Sequence, residues 1–309
     1  MIVLLTKPKD SIWKRILSNW QFYVLMLPGI LFFICIKVFP VWGLSIAFVN
    51  FKMKLGVLGS KFVGFDWFIK FFSGSNFPRI MRNTLVISLM DLLLAFPVPI
   101  ILSLALNEIR SRRYQRTVQS VIYMPHFMSW VVISGFTFLL FSVDVGLVNK
   151  AIRMFGGQPV NFLTNQQTFW WVLLFQNIWK ESGWGTIIYL ACISQIDQGL
   201  YEAAVMDGAN RMQRMWHVTL PGISSTLIVM FIMKLGRMLN ISFEQVFMMT
   251  NDMVSTVADT LDLYAYRIGI QQGNYSIGTA VGLFKSVIGC LLVIGSNWII
   301  KKTGNEGMF

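Results

Sequence analysis

Six stretches of this chain are long and apolar enough to cross a bilayer, and they constrain its fold more than any other feature. A hydrocarbon core of about 30 Å calls for about 20 apolar residues in a helix. The runs that satisfy this are 22–49, 84–106, 120–141, 169–196, 223–247 and 279–300. In lipid every backbone N–H and C=O needs a partner inside the protein, so runs of this kind fold as helices. The expected fold is an all-α integral membrane protein with six transmembrane helices, and an even number of spans puts both termini on one side.

Composition agrees. Only 13% of the 309 residues are charged, mean hydropathy is +0.61, and the 11 Trp add to an apolar mass that a soluble domain of this size has no core to hide. The net charge of +12 does not indicate nucleic acid, because the basic residues are strung along short loops and not gathered on one element with interleaved aromatics. Lys7, Lys9, Lys14 and Arg15 precede the first run, and Arg110, Arg112, Arg113 and Arg116 follow the second. Arg211 and Arg214 follow the fourth run, and Lys301 and Lys302 follow the last. In the alternate loops the basic residues are diluted over 51–82, or stand near Asp252, Asp259 and Asp262. Lys and Arg close to span ends favour the cytosolic side, so both termini and the loop 197–222 are expected there. The domain plan is an N-terminal arm (1–19), one six-span domain (20–300) with an external loop at 51–82, and a tail (301–309). The first run lacks a small-residue cleavage pattern and reads as a retained span, and no internal duplication or interrupted helix is found.

Trp13, Trp20, Phe22, Tyr23, Trp170, Trp171 and Trp298 lie near predicted interfaces, where amphipathic rings anchor helices. Gly278, Gly282, Ser286 and Gly289 give the last span a small-residue face for close helix packing. Cys35, Cys192 and Cys290 lack metal or disulfide spacing and read as small hydrophobes.

The loop after the fourth run is different in kind. Asp197 can cap a helix, residues 200–207 favour helix, and Gly208 stands where a left-handed turn ends it. Met212, Met215, Trp216 and Thr219 then recur at helical spacing, with Arg211, Arg214 and Val218 on the other side, before Pro221 and Gly222 close the unit. Two short helices bent at a glycine, with Met and Trp displayed, fit a protein-docking face or a helix lying in the lipid interface.

Glu202-Ala203-Ala204, three residues, Gly208, nine residues, then Val218-Thr219-Leu220-Pro221 resembles the EAA loop of the membrane subunits of ABC-type importers, E-A-A-x3-G-x9-I-x-L-P. Val218 for Ile is the departure. The run Trp179, Trp184-Gly185-Thr186 and Phe284-Lys285 resembles the oligosaccharide branch of these permeases, the LplB-like polysaccharide permeases, and the similarity covers most of the chain. The resemblance implies a type I ABC importer permease fold in the cell membrane, pairing with a second, homologous permease, two cytosolic ATPase subunits and an extracellular solute-binding lipoprotein. It also implies that Glu202, Ala203, Ala204, Asp207 and Gly208 form a coupling helix and its bend, with Met215, Trp216 and Pro221 supporting it against the ATPase.

No P-loop, H-E-x-x-H or G-x-S-x-G sequence occurs, so the chain is expected to bind no cofactor and catalyse nothing, with ATP and Mg used by the partner. Isolated His126 and His217 read as structural. Lys37, Asp91, Lys180, Glu181, Lys234, Arg237, Glu244 and Lys285 lie at apolar depths or near span ends, where charged groups face protein or water. Internal pairing of Lys180 with Glu181, or of Lys234 with Glu244, is one reading. For an oligosaccharide path, Trp179 and Trp184 flanking the flexible Gly183, with Asn240, Glu244 and Gln245 on the next span, supply flat rings and hydrogen-bonding groups. A secondary transporter driven by an ion gradient is the alternative, one that has no use for a coupling loop.

Overall fold

The computed structural model describes residues 18–302 together with Gly304 and Gly307, so most of the expected N-terminal arm and tail lies outside the described residues. From the N-terminal side, α1 (Trp20–Phe48) leads into a hairpin of β1 (Val49–Lys52) and β2 (Ser60–Phe62), then α2 (Asp66–Phe72) and α3 (Phe77–Asn107). Next come α4 (Arg112–Phe127), α5 (Trp130–Phe141), α6 (Leu147–Met154) and α7 (Gln166–Ile193). α8 (Gln198–Met206), α9 (Arg211–Gly222) and α10 (Ser224–Gly236) precede α11 (Phe243–Met249), α12 (Leu261–Tyr266) and α13 (Tyr275–Lys302).

Among the described residues, α1, α3 and α13 are each long and apolar enough to cross a membrane, and the bent pairs α4/α5 and α9/α10 bring the number to five if each is one span. The expected count of six is therefore not reached on these terms. α7 has the length, 28 residues, but Gln176, Asn177, Lys180 and Glu181 interrupt its apolar run. The fold is also not wholly helical: the loop 51–82 carries the antiparallel hairpin, with Val49 opposite Phe62, and α3 begins at Phe77, before the predicted start of the second span.

Two predicted spans are not continuous helices. The third bends by 107° between α4 and α5, across Met128 and Ser129, directly after the 3-10 turn Met124–Phe127 whose Pro125 has no N–H to continue an α-helix. The fifth breaks between Arg237 and Ser242. Its last turn tightens as the Arg237 and Met238 N–H groups reach back to Lys234 O (3.1 Å) and Leu235 O (3.0 Å). Irregular backbone at such depth survives only where protein or a cavity satisfies it, and the Ser88 hydroxyl donates to the freed Met238 carbonyl. The reading that no helix is interrupted is thus corrected.

Loops segregate to two ends of the bundle. At one, Asp259, almost fully buried, accepts from Arg79 (3.3 Å) and Arg267 (2.8 Å), while Asn83 donates to the Thr256 and Asp259 carbonyls. These contacts join the predicted external loops. At the other, Arg211 lies 4.0 Å from Glu108, joining the two loops predicted to share the cytosolic side.

The core is built from facing helices. Ile87, Phe169, Val172, Leu173, Val246 and Met249 form one apolar cluster, and Phe71, Ile80, Leu261, Ile277 and Val281 another. Close crossings rest on glycine. A Cβ at Gly289 of α13 would lie 2.6 Å from the Gly236 carbonyl of α10, and one at Gly183 of α7 would overlap the Ile122 carbonyl of α4. Gly183 is therefore a contact point of two backbones and not a flexible joint. The small-residue face of the last span divides in two: Gly278 packs on Gly269 and Gly289 on Gly236, whereas Gly282 and Ser286 stay exposed.

Candidate functional site

The loop at residues 197–222 folds as two helices hinged at one glycine. Asp197 caps α8 by accepting from Gly199 N at 3.0 Å, satisfying an N–H that has no partner within the helix. Gly208 ends the turn at φ 79°, where an L side chain is strained. The Ala209 N–H reaches Ala204 O (2.9 Å) and the Gly208 N–H reaches Val205 O (3.0 Å), a paired closure of the helix end. α9 then starts with a capping box: Asn210 Oδ1 accepts from Gln213 N (2.9 Å) and Gln213 Oε1 from Asn210 N (2.8 Å). Sequence reading missed this box, although the N-x-x-Q spacing carries it.

α8 is tied back to the far end of α9. Tyr201 and Thr219 share a hydroxyl hydrogen bond of 2.9 Å, Thr219 is buried, and α9 turns by 62° into α10 after Pro221 and Gly222. Glu202, Ala203, Val205, Met206, Asp207 and Gly208 are exposed, Ala204 is half-buried, and Met212 and Trp216 face outward while Met215 is half-buried. A concavity of about 350 Å³ opens where the helices meet, walled by Ala204, Asp207, Gly208, Arg214 and His217. An exposed row of small, acidic and thioether side chains beside a dent is suited to receiving another protein.

Deeper in the bundle, two cavities of about 380 and 280 Å³ share the wall residues Asp91, Asn177, Glu181, Lys234 and Arg237. Asp91 of α3 accepts from Lys234 of α10 and from Asn177 of α7. Lys234 therefore pairs with Asp91 and not with Glu244, which is exposed. Glu181 meets His126 Nδ1 at 3.0 Å, and the His126 ring stacks on Trp184 at 4.7 Å. Lys180 lies 4.0 Å from Glu181 and directs its donors to the His126 (2.8 Å) and Met128 (2.6 Å) carbonyls at the α4/α5 bend.

Of the residues expected along a sugar path, Asn240 and Gln245 line the larger cavity and Trp184 the smaller. Gln245 is buried, donating to Leu173 O (2.7 Å) and Gln176 Oε1 (3.2 Å). Trp179 packs edge-on against Phe136, and neither it nor Glu244 lines either of these two cavities. Trp170, read from the sequence as an interface anchor, lines the larger cavity instead, with its Nε1 donating to Val257 O at 2.9 Å. Asp91, Asn177, Lys234 and Arg237 carry the shared wall. Three of them are charged residues at apolar depth, a signal present in the sequence, but their convergence depends on three different helices.

A helical bundle with an exposed bent lever at one end and polar-walled cavities within defines a membrane transport subunit. The chain belongs to the family of binding-protein-dependent transport system inner membrane components, whose model matches residues 72–304. It is a multi-pass permease component of ABC import systems. It is 48% identical to Protein LplB of Bacillus subtilis over 99% of this chain and 96% of that one. It is 44% identical to the polygalacturonan/rhamnogalacturonan transport system permease protein YteP of the same organism, over 100% and 96%. A bacterial alginate ABC transporter, solved in complex with an alginate pentasaccharide-bound periplasmic protein, contains a chain that superposes with TM-score 0.88 at 35% identity, covering 97% of this chain and all of that one.

Proposed function

We propose that this chain is the membrane-spanning subunit through which an ATP-driven importer passes oligosaccharides handed over by an extracellular solute-binding lipoprotein. Its partners in this reading are a second, homologous permease and two cytosolic ATPase subunits. The observation that carries it is the α8/α9 lever: an exposed helix with Glu202, Ala203 and Asp207, bent at Gly208, with Tyr201 of α8 held to Thr219 near the end of α9, just before the turn into α10. Movement imposed on α8 by an ATPase is transmitted along α9 to the 62° turn and into α10, whose C-terminal end borders both cavities. The chain contributes no bond-breaking step and binds no cofactor, because ATP and Mg act in the partner.

The relatives supply the cargo class. YteP is named for polygalacturonan and rhamnogalacturonan, the solved transporter imports alginate, and the cavities here combine indole rings with amide groups, the usual means of holding sugar. Family membership does not favour the ion-gradient alternative. Reconstitution separates the two: liposomes carrying the four-subunit complex, given the binding protein outside and ATP inside, take up oligosaccharide only with an intact ATPase. Uptake driven by an ion gradient in the absence of the ATPase refutes the proposal.

A further inference from the structure

The wall between the two cavities holds four charged side chains, and three of them are neutralised within the chain. Asp91 pairs with Lys234, and Glu181 meets His126 and lies 4.0 Å from Lys180. Arg237 is different: it borders both cavities, is exposed, and its guanidinium makes neither a hydrogen bond nor an ion pair among the described residues. It stands at the end of α10, where the helix is interrupted and the backbone is already opened towards the cavity. A permanently charged group inside a membrane bundle needs water or an anion against it.

We infer that Arg237 is a carboxylate-recognition residue in the translocation path and that the cargo is an acidic, uronate-containing oligosaccharide. This rests on the oligosaccharide reading above and specifies its substrate. The planar guanidinium fork matches a carboxylate in two parallel hydrogen bonds, which a hydroxyl cannot reproduce. Asn177, on the same wall, and Asn240, in the larger cavity, offer amides to the ring hydroxyls, while Trp170 and Trp184 present aromatic surface in the larger and smaller cavity respectively. Exposure keeps the contact with Arg237 weak enough to release, as a path requires and a tight binding site does not.

The test uses the full complex in liposomes with its binding protein and ATP, and compares an oligogalacturonide with its methyl ester, which keeps the shape and removes the charge. In Arg237→Gln the KM for the acid rises at least about tenfold relative to that for the ester, the loss expected of one charge-assisted, bidentate contact. Arg237→Lys, which keeps the charge without the fork, raises that ratio about threefold. An acid-to-ester ratio unchanged in both variants overturns the inference while leaving oligosaccharide import standing. The same unchanged ratio in the assembled fraction, with a lower yield of assembled Arg237→Gln complex, overturns it too and assigns the guanidinium to a carboxylate of the second permease. Uptake of neither compound by the unaltered complex removes the oligosaccharide reading and the inference together.

Discussion

The Lys180 ammonium of α7 donates to the His126 carbonyl at 2.8 Å, across the point where α4 turns into α5. A second bond reaches the Met128 carbonyl at 2.6 Å, and the charge also lies over the Trp130 ring at 5.4 Å. A helix that ends inside a membrane bundle leaves carbonyls without amide partners, and one buried lysine supplies two of the missing donors. The residue that the sequence offered as an ion-pair partner of Glu181 does lie 4.0 Å from that carboxylate, and it also caps a bend more than fifty residues away in the chain.

Lys180→Met removes both donors and leaves the bend carbonyls unpartnered. Each charge-assisted bond to a buried group contributes about 1.5–3 kcal/mol, so the purified complex should unfold at clearly lower temperature, with weakened assembly as the bend relaxes. Thermal unfolding in detergent checks this. A melting temperature equal to that of the unaltered complex would show that water replaces the ammonium.

Gly208→Val separates the hinge from the fold. Nothing lies within 4 Å of a Cβ at this position, so the cost comes from the backbone, which holds φ at 79°. A left-handed residue costs roughly 1–2 kcal/mol for an L side chain, and more when it is β-branched. Membrane insertion should be unchanged while the angle between α8 and α9 shifts, reducing ATPase copurification and uptake together. Normal copurification and normal uptake would exclude a role for this bend in docking.

Gly289→Ala and Gly282→Ala are a matched pair on one helix. At Gly289 the new methyl would lie 2.6 Å from the Gly236 carbonyl, so α10 and α13 must separate; at Gly282 nothing lies within 4 Å. Overpacking of this kind costs about 1–3 kcal/mol, whereas alanine for glycine in an open helix position is neutral or favourable by about 0.5–1 kcal/mol. Thermal unfolding of the two variants should therefore move in opposite directions or differ sharply. If Gly282→Ala is the more damaging, its exposed face packs against a partner subunit more tightly than Gly289 packs inside the chain.

The loop at residues 197–222 was legible in detail because its signals are local. Asp197 as a cap, Gly208 as a helix end, and Met and Trp at helical spacing each fix backbone geometry within a few residues. The structure places α8, the bend and α9 accordingly. The first and last apolar runs were similarly clear, appearing as α1 and α13 with ends shifted by a few residues.

Interrupted spans and their charges were not legible. Apolar composition is the same whether residues 223–247 form one helix or stop at Gly236 and resume at Phe243, because the break is made tolerable by Ser88, a side chain on another helix. Lys234 was matched to Glu244 by nearness in sequence, yet Asp91 is its partner across the cavity. Sequence alone determined that the chain enters a membrane as helices and carries a bent, polar lever between two of them, since hydrophobic length and backbone preference are properties of short segments. Tertiary structure alone decided where the helices break, which charges cancel, and that Arg237 faces the cavities without a partner among the described residues. Those outcomes depend on which groups meet when distant segments pack, and in a medium without water to solvate them each polar group is held by whatever neighbour the packing provides.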